Sequence, residues 1–184
     1  MKTAPSQVSQ HILKAARWNT TLGPMIAIAD EENLYLLEFV DRRRLEREID
    51  SLRKKLKVDI IPGQTQITKN IQSEITNYFD GKNIEFKTPI HLIGSPFQKS
   101  VWEKLREIPA GETRSYLAIA KSLKKPTAFR AVAQANGANP LSIIVPCHRV
   151  INTNSELGGY GGGVARKQWL LNLEKKACRH KINF

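Results

Sequence analysis

Residues 115–136, SYLAIAKSLKKPTAFRAVAQAN, decide how this chain is read. Two short runs, Ser115–Leu123 and Thr127–Asn136, flank Lys124-Lys-Pro126. Proline removes a backbone donor and pushes the residue before it out of the helical region, so it separates the runs. Two short helices joined by about three or four residues predict a helix-turn-helix. The second run is rich in alanine (Ala128, Ala131, Ala133, Ala135) and carries Arg130. Small side chains let a helix backbone approach a groove closely. They equally let it pack against another helix.

Upstream, the same helical logic continues to residue 95. Ser95 suits an N-cap, Pro96 the first helical position, and Gln98 completes a capping box. Phe97, Val101, Leu105 and Ile108 make one stripe, and Pro109-Ala-Gly111 turns the chain. Thr88-Pro89 and Gly94-Ser95-Pro96 punctuate a boundary near residues 88–95. Before it the period changes. Met25–Ala29 and Leu34–Val40 flank the polar turn Asp30-Glu-Glu-Asn33 and predict a hairpin, with a further strand within Val8–Trp18. In residues 41–57, DRRRLEREIDSLRKKLK, Leu45, Ile49, Leu52 and Leu56 form a helical stripe among eight basic and four acidic side chains. That charge pattern reads as the solvated face of a helix packed on a sheet. Val58–Ile61 is a short strand, and residues 65–80 a helix with Ile67, Ile71, Ile75 and Tyr78 on one face. The expected fold class is α/β. A small N-terminal sheet-plus-helix domain over residues 1–90 precedes a mostly helical C-terminal domain over 95–184 with the helix-turn-helix.

Composition bounds the function. With 184 residues, 41% hydrophobic and 25% charged, the chain has the makings of a globular core. Its longest apolar run is the five residues Met25–Ala29, far short of the roughly 20 a membrane span needs. The first residues, MKTAPSQVSQH, lack a secretory apolar region. Two cysteines, Cys147 and Cys178, make no disulfide framework and suit a reducing compartment, so a cytoplasmic protein is expected. The net charge of +12 is unevenly spread: residues 1–94 carry +2 and residues 95–184 carry +10. A basic half-chain favours an anionic partner, most often nucleic acid.

Downstream of the helix-turn-helix lies residues 139–149, NPLSIIVPCHR. Ser142–Val145 reads as a buried strand ending at Pro146, followed at once by Cys147 and His148. A thiol must lose its proton to become a good nucleophile, and an imidazole can take that proton directly or through one water. Neighbouring residues on an extended chain point to opposite sides, so a tight bend or a water relay is required. The same cysteine could instead be a small buried hydrophobe. Gly158-Gly-Tyr-Gly-Gly-Gly163 misses both nucleotide-loop spacings and reads as backbone lying close to a flat ligand, with Tyr160 as a wall. In the last helix, Val164–Lys176, Glu174 stands at i+4 from Leu170 and i+3 from Leu171, a carboxylate at the edge of an apolar face. Such a group needs a partner, and His148 is a candidate. Cys147 and Cys178 lack paired zinc-ligand spacing, and no metal is expected.

With these residues in hand, Pro146-Cys-His-Arg-Val150 resembles the acceptor signature of the O6-alkylguanine-DNA alkyltransferases, also called methylated-DNA–protein-cysteine methyltransferases. Phe97-Gln98, Gly111-Glu112 with Ser115-Tyr116, Arg130-Ala-Val132, Asn139-Pro140, Tyr160 and Trp169-Leu170-Leu171 follow the family's order. The resemblance covers about residues 95–175 closely and the first half loosely. It implies a DNA repair protein that binds duplex DNA through the minor groove and flips O6-alkylguanine, and also O4-alkylthymine, out of the stack. The alkyl group passes irreversibly to the protein's own cysteine, once per molecule and with no cofactor. It implies Cys147 as nucleophile, His148 as base through water, Glu174 as its orienter and Asn139 as a brace behind the acceptor. Arg130 becomes the finger filling the vacated space, and Tyr116 assists rotation and bonds the leaving guanine. The Val150 carbonyl accepts from the guanine amino group, Tyr160 and Gly161 line the pocket, and Arg149 belongs to the substrate and DNA contacts. The implied state is a monomer, with cooperativity on DNA left open, in the cytoplasm and at the nucleoid if the source is bacterial. Gly161 departs from members with serine there. Members with an N-terminal zinc site use cysteine and histidine ligands, whereas residues 1–94 hold only His11 and His91. Two other readings stay open: a non-catalytic module that flags lesions or regulates transcription, and a cysteine hydrolase.

Overall fold

The hairpin forms where the polar turn predicts it. Asp30 Oδ1 accepts from the backbone N–H of Glu32 (2.8 Å) and Asn33 (2.7 Å), an Asx turn that reverses the chain between β2 (Met25–Ala29) and β3 (Leu34–Phe39). The computed structural model describes residues 11–181, with side chains through Arg179. Strand β1 is Ile12–Trp18, and the start of its expected range at Val8 lies outside the described residues. Strand β4 is Asp59–Pro62. The sheet order is β3-β2-β1-β4, antiparallel except for the parallel β1–β4 pair.

Every residue of β2 and β3 is buried. The sheet is covered on both faces, so these strands read as continuous apolar runs instead of alternating. One face packs Ile26, Ile28 and Leu36 against Leu45 and Leu52 of α1 (Leu45–Leu56). The other packs Met25, Ala27, Leu37 and Phe39 against Ile71, Ile75 and Tyr78 of α2 (Gln66–Phe79). Helix α2 is started by a reciprocal cap: Thr65 Oγ1 accepts from Thr68 N (3.1 Å) and Thr68 Oγ1 from Thr65 N (2.9 Å).

That second core continues without interruption into the C-terminal half, taking in Val101, Trp102 and Leu105 of α3 (Pro96–Arg106) and Leu170 of α6 (Val164–Lys181). The predicted Ser95–Gln98 capping box starts α3. The helix-turn-helix is present as α4 (Tyr116–Ser122), a 3-10 turn at Pro126–Ala128, and α5 (Phe129–Gly137). Both uses of small residues occur on α5: Ala135 is buried and its carbonyl accepts from Trp102 Nε1 (2.8 Å), while Ala133 faces an open cavity. A two-residue parallel pair, β5 (Arg114–Ser115) with β6 (Val150–Ile151), ties the start of α4 to the segment after Cys147. Among the described residues no helix is long and apolar enough to cross a membrane.

The segment expected as a strand, Ser142–Val145, is instead a tight turn. Val145 N bonds Leu141 O (2.9 Å), and Ile143 adopts φ 75°, a left-handed conformation that a β-branched residue avoids. The turn is bought by its surroundings. Leu37 N bonds Pro140 O and Leu37 O accepts from Ser142 N, each at 2.9 Å, docking the turn on the free edge of β3.

Candidate active site

Cys147 opens a 3-10 turn, Cys147–Arg149, directly after that strained reversal. Pro146 ends the turn, and the 3-10 bend replaces the opposed geometry of an extended pair. Asn139 holds the assembly from behind. Its Nδ2 donates to Val145 O (2.8 Å) and to Cys147 Sγ (3.2 Å), and its Oδ1 accepts from Leu141 N (2.9 Å). Asn139 is fully buried and Cys147 only 5% exposed. Burial pushes the thiol up to about 11, only partly offset by the Asn139 donor. The resting sulfur is therefore protonated and needs a base.

The imidazole next in the chain is His148, and it is paired with Glu174. His148 Nε2 lies 2.8 Å from Glu174 Oε1, both side chains fully buried. Burial alone would raise the Glu174 pKa, but the hydrogen bond from His148 and then the hydrogen bonds and charge of Arg149 hold it well below the usual carboxylate range. An ionised carboxylate fixes the proton on Nε2 and leaves Nδ1 as the basic nitrogen. Nδ1 is buried and has no hydrogen-bond partner among the described residues. Burial lowers the His148 pKa against the pull of Glu174, so the ring is neutral at pH 7.

Arg149, expected among the substrate and DNA contacts, is turned inward. It is buried, donating from Nη2 to Glu174 Oε1 (2.8 Å), from Nε to Oε2 (3.0 Å) and from Nη1 to Ile108 O (2.6 Å). The C-terminal end of α3 and Glu174 compete successfully with solvent for this guanidinium, because a buried carboxylate with fewer donors would be costly. The Gly111 N–H (3.1 Å) and the Tyr78 hydroxyl (2.6 Å) complete the carboxylate's shell.

A cavity of about 1000 Å³ opens in front of Cys147, lined by Tyr116, Arg130, Tyr160 and Gly161 among others. It thus gathers four of the residues singled out from sequence around the fifth. Arg130 is exposed at its mouth. The Val150 carbonyl is already engaged by Lys167 Nζ at 2.6 Å. Lys167, fully buried, also bonds the carbonyls of Leu157 and Gly159, so it ties the glycine loop to the acceptor segment. Burial lowers its pKa to about 8.

Sequence reasoning missed Lys167, Tyr78, Ser142, Glu38 and Arg42. Lys167 had a signal: it stands at i−3 and i−4 from Leu170 and Leu171 and at i−7 from Glu174, on the inward face of α6. Arg42 belongs to the run 41–57, whose mixed charges predict a solvated helix face. It is buried instead, paired with Glu38 and donating to Gly137 O (2.7 Å) and Asn139 O (3.2 Å). Glu38 accepts in turn from Ser142 Oγ (2.7 Å). The near-neutral half therefore reaches the site, and Arg43, Arg44 and Arg47 line its cavity as well. A side chain at Gly161 would place its Cβ 2.9 Å from Arg42 Cζ. Arg42 fills the space that a larger residue would need.

Comparison with known proteins agrees with this geometry. The profile described as "6-O-methylguanine DNA methyltransferase, DNA binding domain" matches residues 96–176. A methylated-DNA–protein-cysteine methyltransferase of Methanosarcina barkeri is 39% identical over 159 residues, covering 86% of this chain and 94% of that protein. The inducible enzyme of Bacillus subtilis is 53% identical over 104 residues, 56% of this chain and 58% of its own. The crystal structure of Mycobacterium tuberculosis OGT in complex with DNA is similar with a TM-score of 0.76 and 37% identity, covering 89% of this chain and 94% of that one. The chain belongs to the methylated-DNA–protein-cysteine methyltransferase family.

Proposed function

We propose that this protein repairs DNA by drawing an O6-alkylguanine, or an O4-alkylthymine, out of the duplex and taking the alkyl group onto Cys147. The observation that carries the reading is a buried thiol at the floor of an open cavity with ample room for a base, backed by Asn139 and flanked by the His148–Glu174 pair. Base flipping costs a few kcal/mol, least for a mispaired base, and the deep position of Cys147 makes it necessary. DNA is bound through the minor groove by α4 and α5, Arg130 takes the vacated place, and Tyr116 assists rotation.

His148 Nδ1, through one water, removes the thiol proton as sulfur attacks the alkyl carbon. The S–C bond forms, the C–O bond breaks, and guanine leaves with its electron pair. The proton returns to the guanine ring, assisted by Tyr116, so the products are a thioether and ordinary guanine. No group in the site cleaves a thioether, so each monomer acts once. In this reading residues 1–90 are the scaffold domain and residues 95–184 carry the chemistry. The protein works in a reducing compartment, at the nucleoid if the source is bacterial.

The test is mass spectrometry after incubation with a duplex containing O6-methylguanine. One methylene should be gained on Cys147, and none in Cys147→Ala. Tight binding to the lesion without an adduct would replace this reading by a lesion-flagging module, and release of the alkyl group to water by a hydrolase.

A further inference from the structure

We infer that Phe129 is a second part of the duplex wedge, an aromatic platform that stacks on a base flanking the flipped nucleotide. The inference rests on the alkyl-transfer reading only for the position of the lesion. Phe129 is 43% exposed, although burial of a phenyl ring is strongly favoured. The other large exposed apolar residues among those described are Ile12, Ile61 and Val164. None of them lines the cavity of Cys147; Phe129 does. Single exposed apolar residues are ordinary on protein surfaces, so exposure alone decides nothing. Position decides it.

Phe129 is the first residue of α5 and precedes Arg130, whose guanidinium carbon lies 5.8 Å from the centre of the phenyl ring. Phe129, Ala133 and Asn136 recur at i, i+4 and i+7, and all three line the cavity. The opposite face of α5, with Val132 and Ala135, is buried in the core. The ring is thus held at the mouth by a helix that cannot roll it inward. Lys121, Lys124 and Lys125 are exposed on the preceding helix and turn, which supplies phosphate contacts around it. An apolar ring beside a cation, on the cavity side of a recognition helix, fits the face of an unstacked base and the phosphate next to it. Arg130 fills the gap, and Phe129 recovers the stacking that the gap removes.

The experiment measures affinity for a duplex containing O6-methylguanine with Cys147→Ala as the background, so that no transfer intervenes. Phe129→Ala should weaken binding about tenfold, the scale of one lost base–aromatic stack, and Phe129→Trp should retain it. Phe129→Leu should not restore binding. The slope of affinity against salt should be unchanged, because no phosphate contact is lost. In the Cys147-containing protein, Phe129→Ala should keep its parent's thermal unfolding midpoint, which shows the fold intact, and transfer to the unsubstituted protein is read from both the duplex and the free O6-methylguanine base. An alanine variant within twofold of its parent, a leucine variant as good as tryptophan, or a changed salt slope overturns the inference. If the unsubstituted protein takes methyl from neither substrate, the alkyl-transfer reading falls, and the binding comparison still decides Phe129.

Discussion

The Tyr78 hydroxyl donates to Glu174 Oε1 at 2.6 Å, the same oxygen that lies 2.8 Å from His148 Nε2. Tyr78 sits on α2 of the N-terminal half and Glu174 on the last helix. The carboxylate paired with His148 is therefore held jointly by both halves of the chain. Tyr78→Phe should cost about 1–3 kcal/mol of stability in denaturant unfolding, the range for a buried hydrogen bond broken on one side. It should also strengthen the pull of Glu174 on His148 and move the acid limb of the transfer rate to higher pH. An unchanged limb with lowered stability would make Tyr78 a packing residue alone.

The pH profile has a definite sign. Burial keeps the His148 pKa below its ordinary 6.5 despite Glu174. The base stays neutral through pH 6.5, and transfer should decline only as the pH falls further. Stability follows the same direction. Both His148 and Glu174 have depressed folded-state pKa values, so both contributions are present above the unfolded values and lost on acidification. Thermal unfolding between pH 7 and pH 4 should show a falling Tm, beginning near 6.5 from His148 and steepening near 4.5 from Glu174.

Asn139→Ala removes the donor to sulfur and the brace of the strained turn together. The thiol should be harder still to ionise than at about 11, and transfer should slow by about a hundredfold, the scale of one lost preorganised donor. Titration of Cys147 by thiolate absorbance would read the first effect and single-turnover kinetics the second.

Gly161→Ser tests the contact with Arg42. The serine Cβ cannot stay 2.9 Å from the guanidinium carbon, so Arg42 must shift and its bonds to Gly137 O and Asn139 O weaken. A loss of about 1–3 kcal/mol is expected from this overpacking. The double variant Gly161→Ser with Arg42→Ala should show non-additive stability in a double-mutant cycle.

Much of the fold was legible because its signals are local. The Asp30 turn, the Ser95–Gln98 cap and the Pro126 break each depend on a few adjacent residues, and each appears where its chemistry predicts. Cys147, His148 and Asn139 were legible through motifs that resemble the family's, and Glu174 through its place at the edge of the apolar face of the last helix. The misreadings have one physical origin. Ser142–Val145 looks apolar and β-branched, but Asn139 and the edge of β3 impose a reversal that local propensity opposes. Arg149, Arg42 and Lys167 look like surface cations, yet each is buried against acceptors distant in sequence. The C-terminal excess of positive charge is accordingly less of a surface property than its arithmetic implies, since Arg149 and Lys167 are spent inside, while Arg43, Arg44 and Arg47 of the near-neutral half line the cavity.

The docking of the acceptor turn on Leu37 has a consequence for how the protein comes to work at all. Leu37 holds Pro140 and Ser142 through both of its backbone groups, and its own place is set by the pairing of β2 with β3, which slips at Ile28/Ala29. A one-residue error in that pairing would turn every side chain of the strand to the other face and carry the turn out of alignment with it. The aim of the sulfur is thus calibrated by a hairpin made early in the chain, and for this molecule a mistake in assembly and a mistake in chemistry are the same event.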